Sequence, residues 1–354
     1  MLAAARKFSD ATFDGIPEPG SPAFRLLNDY QRGLPLVARP FAAIADEVGL
    51  DEAVVLGAYQ RWQHAGVVSR VGAVFSPQRM GASALAALAA PPGALEAIAE
   101  RVNAVAEVNH NYQREHAFNL WFVITAASAW RRAAIVAGIE RDTGCPVIVL
   151  PLAEAFHIDL GFDLGGAPRP GVHEADMTPR LGLPSAAALS ALERRLLAAL
   201  QDGLPLEPVP FHALGRRVGL GEKAVIEFIR RWLADGLFKR FGVVVRHHEL
   251  GFRANAMCVW DIPDERVGEV GRALAAEPAV TLCYRRERAL PHWRHNLFCM
   301  IHGRTREAVL AVRRDIGARL GLERWPGEVL FSVRRFKQQG ARYLPSCDAE
   351  LVHE

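Results

Sequence analysis

The chain has 354 residues, half of them hydrophobic, and a formal net charge of +3 from 42 Lys and Arg set against 39 Asp and Glu. That length can bury about two to four compact cores, while so near-neutral a balance excludes bulk electrostatic attraction as a basis for binding nucleic acid. Five cysteines, Cys145, Cys258, Cys283, Cys299 and Cys347, form no CxxC pair, which argues against a disulfide framework, an iron–sulfur site or a structural zinc site.

Residues 1–22 read as an N-terminal extension. Their MLAAARKFSDATFDGIPEPG run has no apolar core long enough for a signal peptide, and no later apolar run approaches the ~20 residues of a membrane span, so a cytoplasmic protein without a membrane partner is expected. Residues 23–70 carry three helical segments, at 24–30, 41–48 and 52–64. Phe41, Ile44, Ala45 and Val48, then Val55, Tyr59 and Trp62, recur at threes and fours. Pro40 suits a first turn, Gly49 the turn that ends a helix, and Asp51 the cap of the next. Two short helices joined by a tight Gly-containing turn predict a helix-turn-helix.

Residues 71–164 follow the strand-like run VVSRVGAVF with a second pattern. ALAALAAP reads as a strand, LEAIAERVNAV as a helix, VNHNYQREH and FNLWFVITA as paired strands, AWRRAAIVAGIERDTG as a helix and PVIVLPLAEAFH as a last strand. That order, βαββαβ, is the ferredoxin-like split unit. Residues 165–190 are rich in Gly, Pro and small residues without periodicity and predict a linker. The pattern then starts again: a helix-turn-helix over 191–240, a ferredoxin-like domain over 241–345, and a tail over 346–354.

The second half is a copy of the first. LPLVARPFAAIADEVGL returns as LPLEPVPFHALGRRVGL at a constant offset of 170 residues, which keeps Trp62 with Trp232, Gly66 with Gly236, Arg70 with Arg240 and Gly72 with Gly242. So long a period indicates a duplicated domain pair rather than a solenoid. The expected fold is therefore α+β, two tandem helix-turn-helix and ferredoxin-like units arranged as a pseudo-dimer, with further homodimerisation left open.

A helix-turn-helix followed by βαββαβ resembles the Lrp/AsnC family of transcription regulators, which implies DNA reading by the second helix of the turn. DNA recognition needs polar or basic side chains at the front of that helix. The first copy offers Asp51, Glu52, Ala53, Val54 and Val55, which would repel a phosphate backbone; the second offers Lys223, Arg230 and Arg231, which read more simply as a solvated face. DNA is not the expected partner.

The halves diverge in the central strands of each βαββαβ unit. The first carries His110, Tyr112, Arg114, His116 and Asn119, in which even positions from 110 to 116 share one strand face. The second carries Tyr284, Arg285, Arg286, Arg288, His292, Arg294, His295 and Asn296, with Arg246, His247 and His248 after its first strand and Arg334, Arg335 and Lys337 at its end. Glu249 and Glu287 are too few to balance so many cations. A ligand with several carboxylates is the simplest remedy, because guanidinium forks pair bidentately with them. No phosphate loop or GxGxxG accompanies the cluster.

The runs HNYQREHAFNLWF and CYRRERALPHWRHNLFCMIHG, together with the LPL-x-x-x-PF signature of each half, resemble the siroheme decarboxylases, Lrp-like enzymes normally built from two related subunits. The chain has both sets of motifs, as a natural fusion of the two subunits would. His295 departs from the pattern, which has Tyr in many relatives. The resemblance implies loss of carbon dioxide from the C12 and C18 acetates of siroheme to give 12,18-didecarboxysiroheme in heme d1 biosynthesis. Siroheme and its decarboxylated products would be the small-molecule partners, with siroheme as the substrate and no cofactor required. A methyl product needs a proton, so a general acid should assist. His247 and His292 are the expected proton donors or iron-facing groups, with Tyr284, His157 and His116 as further catalytic candidates. Arg246, Arg286, Arg288, Arg114, Arg335, Lys337, Tyr112, Asn119, His295 and Asn296 would hold the substrate. The density of cations favours one dominant pocket in the second half. A DNA-binding regulator and a catalytically silent tetrapyrrole sensor or carrier remain the alternatives.

Overall fold

The computed structural model describes residues 17–158, 189–246, 254–340 and 342–344. In the first half, α1 (Pro22–Asn28), α2 (Pro40–Val48) and α3 (Glu52–His64) precede β1 (Val68–Phe75); β2 (Ala82–Leu88), α4 (Leu95–Ala104), β3 (Val108–Arg114), β4 (Leu120–Ala126), α5 (Ala129–Thr143) and β5 (Val147–Ile158) follow. The second half repeats the order with α6 (Ala191–Leu200), α7 (Pro210–Val218), α8 (Glu222–Ala234), β6 (Phe238–Val245), β7 (Ala254–Trp260), α9 (Val267–Ala275), β8 (Val280–Arg286), β9 (Leu297–Gly303), α10 (Arg306–Leu320) and β10 (Gly327–Gln338). Local chemistry sets the repeated turn: Pro40 and Pro210 open α2 and α7 with φ preset for a helix, and Gly49 and Gly219 end them in the left-handed region at φ +77° and +76°.

The two helix-turn-helix units share one apolar core, in which Phe41, Tyr59 and Trp62 of the first pack with Phe211, Trp232, Phe238 and Phe241 of the second. Their wings β1 and β6 pair antiparallel, with Gly72 opposite Gly242, so the pseudo-two-fold axis passes between those glycines. The LPL signature is what docks each half on the other. The Leu34 amide donates to Phe241 and the Leu204 amide to Val71. The side chains of Gln60 and Arg230 then hold the carbonyls of Leu206 and Leu36 across the same junction.

The remaining eight strands close into one barrel in the order β10-β3-β4-β2-β5-β8-β9-β7. Within it, β5-β2-β4-β3 and β10-β7-β9-β8 are the two ferredoxin-like sheets expected from the sequence. The closure was not foreseen. Each last strand is twelve residues long and serves both halves: β5 pairs with β2 through Pro151 and with β8 from Leu152, while β10 pairs with β7 through Phe331 and with β3 from Ser332. The outer face of the barrel packs on helices, with Phe122 and Ile124 against Ile98 and Ile135, and Cys299 and Ile301 against Val270 and Val309. Inside, Leu85, Trp121, Leu150, Val259, Trp293, Phe298 and Leu330 fill the middle. Polar side chains on the inner face are thereby confined to places the apolar plug does not reach.

Candidate active site

The exchange of last strands builds a composite site. On β3 the even positions do share a face: Asn111 is fully buried and bonds Asn103 and the Ala99 carbonyl of α4, which leaves His110, Tyr112 and Arg114 on the opposite side. The His110 and Tyr112 rings stack at 6.2 Å, and the Arg114 guanidinium lies 5.8 Å from the Tyr112 ring centre. Arg335 on β10 is the cross-strand partner of Tyr112. Arg246, which follows β6, reaches the same place, donating to the carbonyls of Gly66 and Gln338, while Arg335 donates to the Gln338 side chain. Arg70, on the wing, faces His110 closely enough to disfavour its protonation.

Burial dominates the ionisation of His110, Tyr112 and Arg114, yet His110, Tyr112 and Arg246 keep part of their surface accessible. That combination marks side chains lining a recess. Burial, helped by the Arg70 charge, pushes His110 down to about 4, so its imidazole is neutral at pH 7. Its Nδ1 lies 3.0 Å from the Asn109 side-chain oxygen, an arrangement that leaves Nε2 as a lone-pair donor. Burial raises Tyr112 against the pull of Arg114, Arg335 and Arg246, so the phenol stays protonated. Burial likewise lowers Arg114 to about 10. Arg114 spends one nitrogen on the Leu330 carbonyl at 2.8 Å, but its Nε, like that of Arg246, is buried without a hydrogen-bond partner. Neither guanidinium has an acidic partner among the described residues.

The pseudo-two-fold axis generates a second, poorer recess from β8 and β5. Tyr284 and Arg286 occupy the places of Tyr112 and Arg114, with Arg286 5.1 Å from the Tyr284 ring centre and 3.1 Å from the Leu150 carbonyl. Burial pushes Tyr284 up to about 12 and Arg286 down to about 10. Leu282 stands where the first recess has His110, and Ala155, paired with Tyr284, where it has Arg335. His157 pairs with Cys283, as Lys337 pairs with Asn111.

Other expected site residues lie elsewhere. Arg288 bonds Asp261 and Asp264, Arg294 bonds Asp261, and Arg285 bonds Asp264, so the second half does have acids for its cations and does not gather them into one pocket. Asn119 accepts from the Ala90 amide and donates to the Ala90 carbonyl; Asn296 does the same with Ile262. Lys337 donates to the carbonyls of Asn103 and Val105 at the end of α4, where a cation complements the helix dipole. His116 accepts from the Phe118 amide at Nδ1 and turns Nε2 toward Glu328 at 3.1 Å. His295 is buried 3.8 Å from the same carboxylate and beside Trp293. His292 is exposed in the loop before β9. His247 lies outside the described residues. Arg70 and the neutral state of His110 were the features sequence reasoning missed, although a charge kept in register at 70 and 240, inside otherwise apolar wings, was their signal.

Two helix-turn-helix units joined to a barrel of ferredoxin-like sheets define an Lrp/AsnC-type architecture. The AsnC-like ligand binding domain matches residues 79–157 and 249–337, and the siroheme decarboxylase NirDL-like HTH domain matches 24–68 and 193–238. The siroheme decarboxylase NirDL subunit of Paracoccus denitrificans is 43% identical over 320 residues, which cover 90% of this chain and 95% of that one. The chain belongs to the siroheme decarboxylase family, in its fused NirDL form. A crystal structure of the siroheme decarboxylase NirDL superposes with a TM-score of 0.66 at 26% identity, covering 94% of this chain and 100% of that one. Another, in complex with an iron-uroporphyrin III analogue, gives 0.64 at the same identity, covering 94% and 96%.

Proposed function

We propose that the chain removes carbon dioxide from the C12 and C18 acetates of siroheme, giving 12,18-didecarboxysiroheme for heme d1 biosynthesis, and that the chemistry takes place at the composite recess. The convergence of Arg114, Arg246 and Arg335 on Tyr112 carries this reading. A guanidinium remains charged when buried, and Arg114 and Arg246 meet backbone carbonyls but no carboxylate among the described residues, so these two call for an anionic ligand, which a tetrapyrrole bearing eight carboxylates supplies. The related structure that holds an iron-uroporphyrin III analogue supports this ligand class.

Each turnover breaks the bond between the acetate methylene and its carboxylate, and the tetrapyrrole delocalises the electron pair left behind. The methylene carbon then takes a proton to become methyl. Tyr112 is the acid in this scheme: its raised pKa keeps the proton in place beforehand, and three guanidinium groups stabilise the phenolate until solvent reprotonates it. Neutral His110 has no proton to give at Nε2 and instead offers a lone pair to the substrate, whose iron is the fitting acceptor. The arginines orient the macrocycle so that one acetate reaches the phenol. Anaerobic incubation with siroheme, followed by mass spectrometry, should show loss of one and then two carbon dioxides. Tyr112→Phe should bind siroheme and leave it intact; full double decarboxylation by that variant would remove Tyr112 from the mechanism.

A further inference from the structure

We propose that the recess around Tyr284 and Arg286 is a second binding site for a polycarboxylated tetrapyrrole, one that holds a single side-chain carboxylate and does no chemistry. The inference rests on the functional reading above for its ligand class, and on the pseudo-symmetry for its location.

The two recesses share their supports. Arg114 and Arg286 each donate one nitrogen to the carbonyl of an equivalent leucine, Leu330 and Leu150, and each lies against the ring of the tyrosine two residues before it. Behind them, Arg70 and Arg240 are fixed alike: Arg70 donates to the Ala73 carbonyl and Arg240 to the equivalent Val243 carbonyl. Tyr284 and Arg286 retain accessible surface. Among the described residues the Tyr284 hydroxyl has no hydrogen-bond partner and Arg286 has no acidic one. Arg288, two residues further on, is met by Asp261 and Asp264. Arg286 instead presents its remaining donors, beside a phenol, to the accessible space.

What the second recess lacks defines its role. Ser76 stands where the first has Arg246, Ala155 where it has Arg335, and Leu282 where it has His110. One clamp fixes one carboxylate but not the orientation of a macrocycle, and no imidazole is available in the His110 position. Binding without alignment brings no rate enhancement. The site therefore suits substrate or product waiting beside the reactive recess.

The probe is iron-uroporphyrin III, titrated into the full chain and followed by absorbance and calorimetry. Wild type should bind two equivalents with distinct affinities. Arg286→Met should retain the tight equivalent and lose the weak one, and Arg114→Met should do the reverse. Ala155→Arg, which gives the second recess the counterpart of Arg335, should tighten the weak equivalent by about tenfold to a hundredfold, the range that one charged hydrogen bond of about 1.5–3 kcal/mol corresponds to. One equivalent in wild type, abolished by Arg114→Met, would overturn the second site and leave the proposed function standing. Two equivalents persisting in Arg286→Met would also overturn it. No binding at all in wild type would strike at the proposed function itself.

Discussion

At the scale of single residues, the composite recess holds two guanidinium groups, Arg114 and Arg246, without an acidic partner among the described residues, and a histidine kept neutral by burial. Arg246→Gln removes a guanidinium that among the described residues bonds two backbone carbonyls and no side chain, so the fold should tolerate the change. Loss of one charged hydrogen bond to a carboxylate, about 1.5–3 kcal/mol, should lower kcat/KM for siroheme by about tenfold to a hundredfold, measured under anaerobic steady-state conditions. His110 supplies a stability signature. Its pKa falls from an ordinary 6.5 to about 4 in the folded chain, so below pH 6.5 the unfolded chain takes up a proton that the folded chain refuses. Stability should be complete above pH 6.5 and decline as pH falls toward 4, and His110→Gln should flatten that decline in thermal melts. A wild-type profile identical to that of the variant would show that His110 is not held neutral. The sequence made the polar face of β3 legible because strand alternation is a local rule. It did not show that Arg288 and Arg294 were already paired, since Asp261 and Asp264 approach them only through the hairpin that the fold brings together.

Elements tell the same story in reverse: motifs that looked like ligand contacts are joints. The Asn119 and Asn296 amides each satisfy both backbone groups of one residue at the end of a neighbouring strand, and the Asn296 side chain is inaccessible to solvent. Asn296→Ala would leave the Ile262 amide buried without a partner, while the Ile262 carbonyl keeps the Arg288 guanidinium, costing about 1–3 kcal/mol, which a lowered midpoint in chemical denaturation would report. Gly242 is the corresponding joint between wings. A Cβ there would meet the Gln31 and Tyr30 carbonyls at 2.4 Å, so Gly242→Ala should destabilise by about 1–3 kcal/mol through overpacking without altering any recess residue. Helix boundaries could be read from the sequence because Pro40, Gly49 and their copies punctuate them chemically. The purpose of the LPL signature could not, because Leu34 and Leu204 find their partners, Phe241 and Val71, only across the axis.

For the whole molecule, the repeat at offset 170 foretold a pseudo-dimer, but not that each half would complete the other's barrel. The reason is physical: β5 and β10 read as single apolar strands, and nothing local says that residues 152–158 and 332–338 leave their own sheet. That exchange places Arg335 of the second half beside Tyr112 of the first, while the pairing of the wings brings Arg246 to the same place, so the recess is a property of the pair. Cutting this chain between residues 165 and 188 should therefore give two pieces that fold fully only together. Each alone would expose the edges of β3 and β8 and the shared helix-turn-helix core, a combination that favours aggregation. Coexpressed, they should purify as a one-to-one complex with decarboxylase activity near that of the intact chain, whereas the first piece alone, although it carries His110, Tyr112 and Arg114, should have none. Arg335→Leu in the second piece should lower the turnover of the reassembled complex while leaving assembly intact, because Arg335 reaches across the junction to the site and not to the core. Activity in the isolated first piece would show that the recess does not need its second-half arginines.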